Sequence, residues 1–347
     1  MGVAKMMPVT NIRPCHALQS VRLAARRPRC GAVSTKAAGH VVNAAAALPS
    51  NLVGVHSGVF VGDWRPQDAE RAVKGAKDAG YDLIELNLSV PEEVDAHLTK
   101  QLLEKYDIQA SGSLGLSRAT DISSSDTEVR KRGIKLLSSA IKALKVAGGR
   151  YFVGVNFGAM DKYREPLTAQ QWKHCVASLK EVAAEAADYG IEYGLEVVNR
   201  YETNILNTAH QAKELIGDIG MDNVSIHLDT YHMNIEENSM EQAIQAAGDK
   251  LGYIHIGESH RGYLGTGSVD FQGLFRGLAA SGYTGPLTFE SFSNAVVSPS
   301  VSNTLCVWRN LWDDPDDLAV KAHSFIESNW AAAYQLYSRP KTWSKPV

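Results

Sequence analysis

From residue 51 onward, short apolar runs alternate with longer segments in which apolar residues recur every three or four positions. The short runs, at 52–55, 82–86, 108–110, 150–155, 191–196, 223–228, 252–256 and 287–289, have the length of strands buried on both faces. The longer segments, at 66–79, 92–106, 126–147, 168–189, 209–219, 240–247 and 271–281, read as amphipathic helices, and a last helix is expected over 316–335. Gly80, Gly190 and Gly282 stand where a left-handed residue ends a helix before the next strand. Pro66 and Pro91 stand near helix starts, where a missing N–H costs little. Eight strand–helix units in strict alternation predict a parallel sheet closed into a single (β/α)8 TIM barrel over 51–337. The rival is an open doubly wound sheet. Its nucleotide-binding form carries a Gly-rich turn after the first strand, and Val53 to Gly58 does not match GxGxxG.

Charge is distributed unevenly. Residues 1–50 contain seven basic side chains and no acidic one, and the first acid is Asp63. Removing those seven from 35 basic residues leaves 28 against 38 acidic ones, so the remainder carries about −10. Such a surface repels a phosphate backbone and argues against a nucleic-acid partner. The Arg- and Ala-rich composition of 1–50, without a continuous apolar core, is that of an organellar transit peptide or disordered extension. Chloroplast is the expected destination, with the mitochondrion as alternative, or the cytoplasm if the segment is not a targeting signal. Residues 338–347 are expected to form a carboxyl-terminal tail. No stretch approaches the roughly 20 apolar residues of a membrane span. The four cysteines form no CxxC pair and read as free thiols.

Four consecutive strands end on side chains able to do chemistry: Glu196, Asp229, His255 and Glu290. The carboxyl ends of barrel strands are where loops converge, so these four are expected at one rim. Three carboxylates and one imidazole form an oxygen-rich ligand set suited to Mn²⁺, with Co²⁺ and Mg²⁺ as alternatives and Zn²⁺ as a second choice for want of thiolates. A lone acid at a strand end is usually a cap or an ion-pair partner, but four such groups on successive strands are hard to explain separately. Glu202, His232 and Arg261 follow these strands closely enough to contact a substrate held there. His227 and Glu85 fall inside strands and are expected to serve the core, while His56 at the end of the first strand is left unassigned. A divalent ion beside a ketone and its neighbouring hydroxyl would stabilise an enediolate. Glu196 and Glu290 could then remove a proton from one face of the carbon and return one to the other.

The segments Gly194 to Glu202, Leu228 to Glu237 and His255 to Gly267, with Ser300 to Ser302 and Val307 to Arg309, resemble the ketose 3-epimerases, the D-tagatose, D-allulose and L-ribulose 3-epimerase family of xylose isomerase-like barrels. The resemblance runs from about Leu52 to Trp330. It implies metal ligation by Glu196, Asp229, His255 and Glu290, proton transfer by Glu196 and Glu290, and sugar contacts from Glu202, His232 and Arg261. It also implies a free ketose as substrate, epimerised at C3, and association as a homodimer or homotetramer. Residues 1–50 have no counterpart in the bacterial members, and the loops after the first and fourth strands lack aromatics of the tagatose branch. A hydroxypyruvate- or inosose-type isomerase or dehydratase on the same barrel is the alternative. An abasic-site endonuclease shares the architecture but would need further histidine ligands and a basic groove.

Overall fold

The computed structural model describes residues 50–338, so the expected targeting segment and tail lie, but for residues 50 and 338, outside the described residues. Eight strands form the sheet: β1 (Val53–His56), β2 (Leu83–Asn87), β3 (Gln109–Ser113), β4 (Tyr151–Val153), β5 (Glu192–Val197), β6 (Val224–Asp229), β7 (Leu251–Ile256) and β8 (Leu287–Phe289). They pair in parallel in chain order, and β8 returns to β1 through Val53 opposite Leu287 and Val55 opposite Phe289. The expected closed (β/α)8 barrel is therefore the observed one.

The outer layer contains α1 (Pro66–Asp78), α2 (Ala96–Tyr106), α3 (Thr127–Ala147), α4 (Ala169–Asp188), α5 (Ala209–Ile219), α6 (Thr230–Glu236), α7 (Met240–Ala247), α8 (Phe271–Ser281), α9 (Pro299–Leu305) and α10 (Pro315–Tyr337). Leu137, Ile141 and Leu144 of α3 and Leu179 of α4 are fully buried, as the helical spacing requires. Each such side chain contributes about 2 kcal/mol by leaving water. Gly190 and Gly282 end their helices at φ +69° and +71°, a conformation costly for residues with a Cβ.

Three local differences from the sequence reading have physical causes. Helix α2 begins at Ala96, not 92, because the Asp95 carboxylate caps the Leu98 N–H and the preceding Pro91–Glu93 closes a separate 3-10 turn. Helix α6 follows β6 without a loop, since Asp229 ends the strand and caps the helix through the Tyr231 N–H at 2.7 Å. Helix α9, between β8 and α10, has no counterpart among the expected helices; Ser298 caps it and Pro299 supplies its first turn.

The barrel interior is unexpectedly polar at mid-height. The Tyr253 hydroxyl of β7 meets Ser111 of β3 at 2.8 Å, Thr288 of β8 at 2.7 Å and Glu85 of β2 at 2.7 Å. Because β3 and β7 are not neighbours, these contacts cross the inside of the barrel.

Candidate metal centre and active site

All four strand-end groups arrive at the same rim. Asp229 pairs with His255 in the β6–β7 register, Glu196 lies one residue before the end of β5, and Glu290 stands one residue beyond β8. Ligand atoms of Asp229, His255 and Glu290 lie within 4.8 Å of one another, and so do those of Glu196, Asp229 and His232 and of Glu196, His227 and His255. Glu196 and Glu290 are joined through His255, whose Nδ1 is 3.7 Å from Glu196 Oε1 and 3.4 Å from Glu290 Oε1. Exposure divides the set: Asp229 and His255 are sealed at 0% and 1%, whereas Glu196 and Glu290 each retain 7%. Of these four, the two glutamates are the more exposed.

The donor set fits a divalent cation on two grounds. His255 Nε2 lies 2.9 Å from Glu85 Oε2, while its Nδ1 is buried with no hydrogen-bond partner among the described residues and faces the carboxylates. A buried nitrogen without a partner is costly, and a metal ion would satisfy it. Glu196, Asp229 and Glu290 also crowd three carboxylates around one permanent cation among the described residues, Arg261, an imbalance that a divalent ion offsets.

Arg261 takes a left-handed backbone conformation, φ +62°, that aims its guanidinium into the site. Its Nη1 donates to Asp229 Oδ2 at 3.3 Å and to Glu290, and the plane lies over Tyr231 at 4.0 Å with Phe292 at 5.3 Å. The loop carrying it is held by buried Glu258, which accepts from the N–H groups of Ser259, at 2.7 Å, and Gly265, at 2.9 Å. His232 Nδ1 accepts from the Asn199 N–H at 3.2 Å, and its Nε2 lies 3.3 Å from Arg261 Nη2, 3.6 Å from Asp229 Oδ2 and 3.8 Å from Glu196 Oε1. The Asn199 amide also donates to Glu202 at 2.8 Å and so ties together two of the expected sugar contacts.

Protonation follows from burial and neighbours. Burial pushes Asp229 up to about 8 despite Arg261, and raises Glu196 despite His255. Burial also opposes the charge on Glu290, but Arg261 and His255 outweigh it and hold this carboxyl below its usual range. His255 resists burial through Glu85 and Glu290 and is raised well above an ordinary imidazole, so a metal must displace a proton from it. Burial keeps His232 and His227 well below that range.

The sequence profile of the xylose isomerase-like TIM barrel family matches residues 73–328. The L-ribulose 3-epimerase of Methylomonas sp. (strain DH-1) is 50% identical over 285 residues, 82% of this chain and 100% of the relative. The ketose 3-epimerase of Arthrobacter globiformis is 46% identical over 280 residues, 81% of this chain and 97% of its own. The chain belongs to the ketose 3-epimerases. This ketose 3-epimerase superimposes on the crystal structure of D-allulose 3-epimerase from Methylomonas sp. in complex with D-allulose with a TM-score of 0.79 at 50% identity, covering 81% of this chain and 98% of that one. It also resembles the D-psicose 3-epimerase with D-tagatose from Clostridium cellulolyticum H10, with a TM-score of 0.75 at 27% identity, over 80% of this chain and 99% of that one.

Four residues that the sequence reading did not assign to the site stand beside the ligand set of this epimerase: Glu85, Asn199, Tyr231 and Phe292. Glu85, expected to serve only the core, holds His255; strand alternation places it with Leu83 and Asn87 on one face of β2, a signal that was available. Asn199 follows Glu196 by three residues in the same strand-end loop, yet its two partners come from folding. Tyr231 and Phe292 look like ordinary aromatics until Arg261 is seen between them. His56, left unassigned, is buried with its ring 5.3 Å from Phe292.

Proposed function

We propose that this isomerase inverts C3 of an unphosphorylated ketose through a cis-enediolate, with Glu196 and Glu290 as the acid/base pair on opposite faces of the sugar. The observation that carries this reading is the flanking of one imidazole nitrogen by two glutamates, the more exposed members of the expected ligand set. Glu196, Asp229, His255 and Glu290 would hold a divalent cation, Mn²⁺ by preference, with Co²⁺ or Mg²⁺ as substitutes. When bound, that ion supplies positive charge beside the carbonyl and adjacent hydroxyl oxygens and makes the C3 hydrogen more acidic.

The chain's own groups do the rest. Whichever glutamate faces the C3 hydrogen removes it, and the glutamate on the other face delivers a proton to the same carbon. The starting epimer decides which glutamate acts first. Arg261 donates toward substrate oxygens, His232 contacts the sugar beside it, and Glu202 accepts from a hydroxyl. Asn199 keeps His232 and Glu202 in register for this.

The names of the relatives support L-ribulose and D-allulose as the first substrates to test. Metal-stripped protein re-supplied with Mn²⁺, Co²⁺ or Mg²⁺ should epimerise D-allulose, D-fructose, D-tagatose or L-ribulose, whereas the stripped protein should not. Turnover of hydroxypyruvate or an inosose in preference to all four ketoses would overturn the reading. Residues 1–50 support chloroplast import on composition, testable by the destination of a fluorescent protein fused behind them.

A further inference from the structure

Glu85 lies below the ligand set, inside the barrel, and is fully buried. Its Oε2 accepts from the Tyr253 hydroxyl at 2.7 Å and from His255 Nε2 at 2.9 Å. A carboxylate can only accept, so Tyr253 must donate to it; Ser111 and Thr288 must then donate to Tyr253, and every proton in the network has a fixed direction. On the other side, His56 Nδ1 accepts from the Gly58 N–H at 3.0 Å, so its proton sits on Nε2, 3.9 Å from Glu85 Oε1. Two imidazoles thus turn their Nε2–H groups toward one buried carboxylate.

We infer that Glu85 is a positioning residue that fixes the tautomer and tilt of His255, so that the Nδ1 lone pair is presented between Glu196 and Glu290; this rests on the metal reading above. The opposite tautomer would set a lone pair on Nε2 against a carboxylate oxygen 2.9 Å away and leave an N–H on Nδ1, where the cation belongs. A carboxylate behind a ligating histidine also makes that nitrogen a stronger donor, and removing such a partner typically weakens metal affinity about 10- to 100-fold. Tyr253 in turn holds Glu85, so three hydroxyls on three strands aim one imidazole that none of them touches through its ring nitrogens.

Two variants separate orientation from charge. Glu85→Gln keeps an acceptor for the Nε2–H and loses the charge; Glu85→Met keeps the volume and loses the acceptor. Full-length protein would be stripped, titrated with Mn²⁺, and examined by electron spin-echo spectroscopy for the nitrogen coupling of a Mn²⁺-bound imidazole. His255→Gln assigns that coupling, and thermal unfolding in chelator reports the fold. The Mn²⁺ Kd is expected to rise about 10-fold in Glu85→Gln with the coupling retained, and about 100-fold in Glu85→Met with the coupling lost. If Glu85→Met does not fold, Glu85→Gln carries the test. Variants that bind Mn²⁺ within twofold of the parent with an unchanged coupling overturn the inference, even if their melting temperature falls. A parent protein that binds no Mn²⁺ overturns the metal reading itself, whatever the variants do.

Discussion

His255 Nδ1 and Glu290 Oε1 face each other at 3.4 Å, too far for a good hydrogen bond and close enough to share a cation. The same nitrogen is 3.7 Å from Glu196, and the opposite ring nitrogen is taken by Glu85. One imidazole therefore links the two glutamates proposed to move protons, and the expected consequences can be measured separately.

Asp229 ties metal uptake to pH. Its carboxyl is raised by burial to about 8 in the folded chain, against roughly 4 when unfolded. Between those values the folded state binds the extra proton, so this group favours folding in acid and its contribution is lost as pH rises toward 8. Mn²⁺ must displace that proton, so the metal-induced rise in melting temperature should be larger at pH 8.5 than at pH 6. Asp229→Asn, which can still cap α6, should abolish most of the rise at both values. An equal rise at both pH values in the parent would contradict the assignment.

Arg261 is the permanent cation among the carboxylates. Arg261→Met leaves Asp229 and Glu290 facing each other without it and should destabilise the metal-free protein by about 3 kcal/mol. Mn²⁺ should recover much of that loss, because it offsets the same charges. Arg261→Lys should rescue little activity, since an ammonium lacks the planar fork held over Tyr231 and Phe292. Chemical denaturation with and without Mn²⁺, together with steady-state kinetics, checks both statements.

Asn199 donates to His232 and to Glu202 from one side chain and its own backbone. Asn199→Ala should raise KM about 10-fold, in line with about 1.4 kcal/mol for a lost buried hydrogen bond, while Mn²⁺ affinity stays near the parent value. A large loss of metal affinity would mean that Asn199 serves the ligand set and not the sugar.

Much of this architecture was legible in the chain because short apolar runs and segments of helical spacing alternate without interruption, and because Glu196, Asp229, His255 and Glu290 occupy corresponding strand ends. The hidden parts depend on contacts between distant strands. Tyr253 reaches Ser111 across 142 residues and Glu85 across 168, and nothing local to any of the three announces the meeting. Helix α6 has seven residues and α9 has seven, too few for periodicity to separate a helix from a loop. Their caps at Asp229 and Ser298 were the readable signals.

Glu196 and Glu290 should each be indispensable and not interchangeable. Replacing either with Gln should lower kcat by about 10²- to 10⁴-fold, the usual worth of a positioned acid or base. A variant that turns over at the parent rate removes that residue from the proton-transfer pair.

The most direct measurement is the fate of the C3 hydrogen when the Mn²⁺-loaded protein epimerises L-ribulose or D-allulose in D₂O. With two carboxylates working on opposite faces, each product molecule should carry one deuterium at C3 and none at any other carbon. Product that forms without deuterium, or that carries it at C1, would contradict a two-glutamate inversion at C3.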